Sequence, residues 1–473
     1  MVFLLFRRAH WAPLVLLPAL LASSCSDSGS DATPAATAPM QAAPPAAPAL
    51  PPEVSIQVMD GDSLKPVPRA RVRVAGDVAR TSRQGIASFR VAERRTLRTQ
   101  VSAPGYEPVA VRVELRSHGA RVRIWRRATQ WPMYGANAAR TQAHSAIRLR
   151  PPFRRIWHRP LHGLVEFPAV VWEGVAYVNN LRGWLHAVSM RSGRVLWKRR
   201  VGSLIASSPA VDPDRGLLLV TTMEPGYVRA LDLQTGRSRW SYYTGRAEPS
   251  PVIRNGIAYL GATNGNIYAL DLDRHRPRWV FHGGVKVTSS PALVGQRLYY
   301  GDYAGRVFAL DARNGRLVWR GSAGTRVYGT VAVARGRVFA PSVFSGMSAL
   351  SARTGRLLWR IPIGAYTYSS PAVYRGRVYF GTYEGLVYSV DARSGRIFWT
   401  RPAGGAVSGA VQVVNGVVYA GSLGSRITAW QWRSGRPLWS FPHGRYVAVS
   451  GNGSVLLMHG GGAIWGVVPK HKR

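Results

Sequence analysis

Few residues in this chain are of a kind that does chemistry, and their spacing argues against most of it. His158, His162, His186, His275, His282, His443 and His459 recur at no metal-ligand spacing, and no nucleophile–base motif stands out. The acids best placed to meet a ligand are Glu166, Glu248, Asp302 and Glu384. A carboxylate can ligate a hard cation or take a proton, but these four stand far apart among arginines, so each is expected to end in an ion pair with a local arginine. Cys25 is the only cysteine. No catalytic residue, metal ligand or cofactor ligand is assigned.

The elements that must position these residues are written eight times over. Trp157, Trp197, Trp240, Trp279, Trp319, Trp359, Trp399 and Trp439 are separated by 40, 43, 39, 40, 40, 40 and 40 residues, and a fixed period of this length marks a solenoid or a propeller. Each unit is strand-like. In residues 370–399, runs of Val, Tyr and Phe are broken by Arg-Gly, Glu-Gly and Ser-Gly, which predicts strands at Ala372–Tyr374, Arg377–Gly381, Leu386–Asp391 and Ile397–Arg401. Four antiparallel strands in about 40 residues make one propeller blade. Seven units are complete, and the chain then supplies Val447–Ser450, Ser454–His459 and Ala463–Val467 without a terminal Trp strand. Arg155–His158 is expected to complete that last blade, closing an eight-bladed ring over residues 129–473 and leaving no long edge unpaired.

The repeated core, of the form A-L-D-x-x-x-G-x-x-x-W, carries a resemblance. Asp232, Asp271, Asp311 and Asp391 follow the small residue, and Gly236, Gly315, Gly355, Gly395 and Gly435 stand at the turn. This resembles the tryptophan-docking repeat of pyrroloquinoline-quinone (PQQ) type propellers, and WPMYGANAART, Trp131–Thr141, resembles the segment that often precedes such a ring. The resemblance implies that the eight tryptophans are structural, each docking on the turn of the neighbouring blade. Arg274-His275-Arg276-Pro277 has no turn glycine, which puts docking there in doubt. The resemblance extends to quinoprotein dehydrogenases, which implies a quinone on the axis and a calcium held by oxygens. PQQ and calcium are nevertheless disfavoured: at the positions where each blade enters the ring, Glu166, Ser207, Pro249, Ser289, Gly329, Ser369 and Gly409, only one is a carboxylate, and a hard cation wants several oxygens.

The front of the chain sets the compartment. Arg7-Arg8 precede the apolar run Trp11–Leu21 and the small residues Ala22-Ser23-Ser24, which reads as an export signal over residues 1–24. Cys25 then resembles the acylated cysteine of bacterial lipoproteins. Residues 25–52, rich in Ala, Pro and Ser, are expected to be a tether of roughly 3 Å per residue at full stretch. Residues 53–127 read as a small β-sandwich, with strands at Val54–Met59, Ala70–Val74, Ile86–Val91, Arg98–Ala103, Ala110–Leu115 and Ala120–Trp125. DGDSLKPVPRARVRV, TSRQGIASF and SAPGY in this stretch resemble the carboxypeptidase regulatory-like, transthyretin-like sandwich, an add-on module without catalysis.

Net charge is +41. Arginines recur at the first turn of the blade, as Arg335, Arg337, Arg375 and Arg377, and at the third, as Arg316, Arg356, Arg396 and Arg436. Those turns lie on one side of an antiparallel blade, so one face of the disc is expected to be cationic. Export makes nucleic acid an unexpected partner; an envelope protein, an anionic envelope polymer or an anionic membrane surface suits the charge better. The sequence therefore reads as an all-β, eight-bladed propeller preceded by a sandwich: an exported, membrane-tethered, monomeric scaffold without catalysis. The alternatives are a quinoprotein-like oxidoreductase and an extracellular glycan or anionic-polymer binding module.

Overall fold

The computed structural model describes residues 53–91, 96–114 and 119–470; the export signal, Cys25 and the tether lie outside them. The sixth blade shows how the repeat folds. Ala372–Tyr374, Arg377–Gly381, Leu386–Asp391 and Ile397–Pro402 pair in that order, all antiparallel. Arg375 and Gly376 take φ of +47° and +83°, the pair of left-handed values a tight two-residue hairpin turn requires. At the third turn, Asp391 Oδ1 accepts hydrogen bonds from the Arg393 and Ser394 amides at 2.9 and 2.7 Å, and Gly395 closes the turn at φ +80°. That explains the Asp and Gly of the repeat: one satisfies the turn amides and the other tolerates its backbone. Burial of Asp232, Asp271 and Asp311 works against the charge, but hydrogen bonds from the turn and a nearby arginine outweigh it and lower each carboxyl to about 2.

Among the described residues, eight sheets of this kind follow one another from Phe153 to Pro469. The last is closed by strands from both ends of the ring: Gly444–Gly451, Leu456–Gly460 and Ala463–Pro469 are completed by Phe153–Pro160, with Trp157 opposite Gly466. Each sheet buries both faces against its neighbours, and the apolar cores run between blades. No helix among the described residues is long and apolar enough to cross a membrane.

Two sets of contacts pin the blades circumferentially. The first is a clamp. Trp279, Trp319 and Trp399 donate from Nε1 to the carbonyls of Ala312, Ala352 and Trp432 in the next blade, at 3.0, 3.0 and 3.2 Å. Tyr259, Tyr299 and Tyr379, on the second strands of the same blades, donate to the same three carbonyls at 3.1, 3.1 and 3.0 Å. At these three junctions one carbonyl oxygen thus accepts from two rings of the preceding blade, and that of Ala352 accepts from the Arg297 guanidinium as well, at 3.0 Å. The indole lies so close over the turn that a Cβ on Gly315 would come within 2.7 Å of the Trp279 ring. At the junction lacking a turn glycine, His275 takes φ +56° itself and stacks its imidazole on Trp240 at 4.9 Å, so aromatic stacking replaces the turn peptide. Trp439 instead meets Phe153 edge-on at 5.1 Å.

The second set is a belt of hydroxyls at the inner rim. The backbone N–H of Ser208 donates to Ser250 Oγ, that of Ser250 to Ser290 Oγ, that of Ser290 to Thr330 Oγ1 and that of Thr330 to Ser370 Oγ, at 2.8 to 3.2 Å. The hydroxyl residues at the start of these blades are therefore blade-to-blade joints.

One end of the axis is plugged by the segment from Trp131 to His144. The innermost strands donate to it in turn: Val171 to Trp131, Val211 to Pro132, Leu293 to Ala138, Val333 to Ala139, Val373 to Thr141 and Val413 to Gln142. Ala143–His144 then adds a parallel fifth strand to the seventh blade. At the centre sits Arg140, fully buried, whose guanidinium donates to the carbonyls of Pro291, Ser250 and Pro251 at 2.9 Å and to that of Tyr134. Burial without a counterion lowers its pKa to about 9, so it keeps its proton at neutral pH.

The sandwich has a three-stranded sheet, Ile86–Arg90, Glu53–Asp60 and Gly119–Ile124, and a four-stranded sheet, Asp77–Arg80, Arg71–Val74, Thr96–Ser102 and Val109–Glu114, around one core. Asp77–Arg80 was not expected as a strand: it has no buried apolar residue and presents no alternation to read. The sandwich touches the ring at the first turns of two blades. Asp62 Oδ2 accepts from the Gly453 amide at 3.2 Å and from Thr129 Oγ1 at 2.7 Å, and the Trp125 indole lies against Gly174.

Candidate functional site

The end of the axis opposite the plug is an open funnel of about 540 Å³. Its floor is Tyr134, whose hydroxyl donates to Ser370 Oγ at 3.0 Å. Its wall comes from one position of the repeat, the residue just before each blade enters the ring: Glu248, Thr288, Tyr328, Tyr368 and Ser408, spaced by 40. Glu166 joins them from the link into the first blade. Because the position is fixed by the fold and not by its own side chain, its residue type is free to vary, and here it is aromatic on one side and acidic on the other.

The aromatic side continues outward onto the face of the second turns. Tyr328 and Tyr368 meet edge-to-face at 5.2 Å, Tyr368 and Tyr383 at 5.7 Å, and Phe344 packs on Tyr366 at 4.9 Å. Phe344, Tyr366 and Tyr383 are 58, 42 and 45% exposed, an apolar patch that a solvated face does not require. Sequence reasoning passed over these residues, because Tyr and Phe inside a strand-rich repeat read as core. The available signal was Tyr328 and Tyr368 at one repeat position, with Tyr366 where the neighbouring blades carry Lys286, Arg326 and Ala406.

The four acids do not share one fate. Asp302 pairs with Arg306 at 2.6 Å, as expected of each. Glu384 accepts from the Tyr366 amide at 3.3 Å and makes no ion pair among the described residues. Glu166 and Glu248, from the first and third links of the ring, converge in the funnel, and neither pairs with an arginine or lysine there; the expectation fails because the funnel wall holds tyrosine and small residues and no arginine. Burial, with Glu248 beside it, raises Glu166 to about 7. Burial also raises Glu248, offset by Lys286 and by the Tyr328 hydroxyl, which donates to Oε1 at 3.1 Å. Burial and these two carboxyls hold the Tyr328 hydroxyl firmly protonated.

The arginines of the first and third turns lie on the plugged side. Arg316, Arg335, Arg356, Arg375, Arg396 and Arg436 are exposed, while Arg337 and Arg377 are half-buried. Arg377 donates to the Arg433 carbonyl of the next blade at 2.7 Å and lies 3.9 Å over the Phe398 ring, which shows first and third turns meeting at one rim. None of the eight makes an ion pair among the described residues.

The funnel does not suit a quinone with a calcium ion. Calcium takes six to eight oxygens, whereas this wall offers two carboxyls, both shifted toward the protonated form by burial, among tyrosine, hydroxyl and small side chains. No cluster of three His, Cys, Asp or Glu that could hold a metal occurs among the described residues.

Residues 123–282, 264–362 and 343–467 match the profile of a family described as outer membrane protein assembly factor BamB. Curated relatives include the outer membrane protein assembly factors BamB of Salmonella typhimurium, 34% identical over 114 residues, and of Escherichia coli, 32% identical over 114 residues. Each match covers 24% of this chain and 28% of the relative's length. Among solved structures, BamB from Moraxella catarrhalis aligns with a TM-score of 0.59 at 16% identity, over 67% of this chain and 99% of that one. A europium-containing methanol dehydrogenase aligns with a TM-score of 0.63 at 13% identity, over 72 and 98%. At these identities the structural matches speak for the fold alone.

Proposed function

The chain belongs to the family described as outer membrane protein assembly factor BamB, and from that premise we propose that it is a non-catalytic, exported scaffold that binds a protein partner in outer-membrane protein assembly. The observation that carries this reading is the exposed aromatic patch of Phe344, Tyr366 and Tyr383 beside the funnel mouth. Aromatic anchors with an open pocket at their centre are what protein interfaces use, because each ring buries much area for little lost side-chain freedom. The plugged face offers the opposite: arginines, a sandwich domain packed at its edge, and a closed axis. Tethering through an acylated Cys25 would hold the disc at a membrane, with the exposed arginines adding roughly 1 kcal/mol each near an anionic surface.

The test is made in the native host. Loss of the protein is expected to lower the amount of folded outer-membrane β-barrel protein, and F344A/Y383A to reproduce that loss while the variant accumulates at the normal level. Full rescue by F344A/Y383A would remove the patch from the function. Normal barrel assembly without the protein would remove the assembly role itself.

A further inference from the structure

Beyond the scaffold reading, the geometry points to the funnel as a binding site for an organic cation: a protonated alkylamine or a guanidinium group seated among Tyr328, Tyr366, Tyr368 and Tyr383, with Glu166 and Glu248 as its counter-charges. Three observations carry this independently of any partner protein.

The first is which acids stay unpaired. The chain has 63 basic residues against 22 acidic ones, so a carboxyl within reach of arginine finds one; Asp60, Asp212, Asp232, Asp271, Asp302 and Asp311 all do. Glu166 and Glu248 do not, although they lie close enough to each other for repulsion to raise Glu166. Two acids brought together from links 82 residues apart, in a wall that excludes arginine and with Lys286 acting on Glu248 alone, leave room for a further positive charge.

The second is the wall itself. Tyrosine faces attract cations through the ring quadrupole, by about 0.5–2 kcal/mol each according to how far the cation is desolvated. The rim already shows this: Lys286 Nζ and the Arg326 guanidinium each lie 4.8 Å from the centroid of Tyr303. Tyr303 is the outer neighbour of Tyr328, at 6.2 Å. The deeper rings carry no cation among the described residues. The third is the cavity, whose size suits a small ligand or one long side chain.

The charged and titratable groups facing Glu166 are Glu248 and Tyr328, with Lys286 behind Glu248. A bound cation favours the ionised carboxylate. Near pH 7 the free site is about half protonated at Glu166, so binding releases a proton, and affinity falls as the pH drops below that range. Lys286 and Arg326 stand at the rim over Tyr303, whereas the arginines of the first and third turns lie on the plugged face.

The experiment is calorimetry on the full chain with two probes: 1,5-diaminopentane, and an acetylated and amidated Gly-Gly-Lys-Gly-Gly peptide. The expected result at pH 8 is one-to-one binding, weakened at least tenfold in E166Q and in E248Q, and weakened about tenfold at pH 6 in the unaltered chain. Both substitutions keep the side-chain shape and remove a buried charge, so the variants should melt no lower than the parent. Binding of the diamine assigns the site to free amines, and binding of the peptide alone assigns it to a basic side chain carried by a polypeptide. The proposal is overturned if neither probe binds, or if affinity is the same in E166Q and E248Q as in the parent.

Discussion

Replacing Trp319 with alanine is expected to lower the stability of the ring by about 3–5 kcal/mol, the cost of emptying a large buried aromatic site. The indole is 8% exposed, sits on the turn peptide at Gly355 and donates to the Ala352 carbonyl at 3.0 Å. Because Tyr299 donates to the same oxygen, Tyr299→Phe alone is expected to cost only about 0.5–1.5 kcal/mol, and the Trp319→Ala and Tyr299→Phe effects should not add. Tyr419, at the same place in the seventh blade, has its hydroxyl buried without a partner, so Tyr419→Phe should cost nothing. Denaturant titration of the four variants checks the series, and equal losses for Tyr299→Phe and Tyr419→Phe would show that the shared carbonyl is not what ties the blades.

Replacing Arg140 with methionine is expected to cost about 3–5 kcal/mol. Methionine fills similar space but offers no donor to the carbonyls of Tyr134, Ser250, Pro251 and Pro291. Removing a charge buried without a counterion returns part of that loss, which is why the figure stays well below the sum of the lost hydrogen bonds. Amide exchange locates the effect: Val211, Leu293, Val333, Val373 and Val413, which donate to the plug, should lose protection before the outer strands do. Unchanged stability with unchanged exchange at these five amides would mean that the plug holds without its arginine.

The blades were legible because the repeat writes its own rules: the four strands of the sixth blade differ from the expectation by one residue at Pro402, and Phe153–Pro160 completes the last sheet around Arg155–His158. The clamp was half legible. Tryptophan stands out by spacing, whereas Tyr259, Tyr299 and Tyr379 look like ordinary strand residues until the shared carbonyl is seen. The funnel was hardly legible, for a physical reason: its wall is assembled from single residues 40 apart, one per blade, so no short stretch of chain carries its pattern. Glu166 and Glu248 were singled out as acids, but their expected ion pairs with arginine do not form, since sequence proximity to Arg159 or Arg246 says nothing about which side of a link each side chain takes. Arg140 gave no signal at all: a fully buried arginine without an acid is a position that composition cannot foretell.

The central claim is that the protein works through its funnel face. A photo-reactive residue placed in living cells at Phe344 or Tyr383, and in parallel at Arg316 or Arg396 on the plugged face, tests it directly. The expected result is a discrete cross-link to one envelope protein from the first two positions and none from the second two. The same cross-link arising from Arg316 or Arg396, with none from Phe344 or Tyr383, would contradict it.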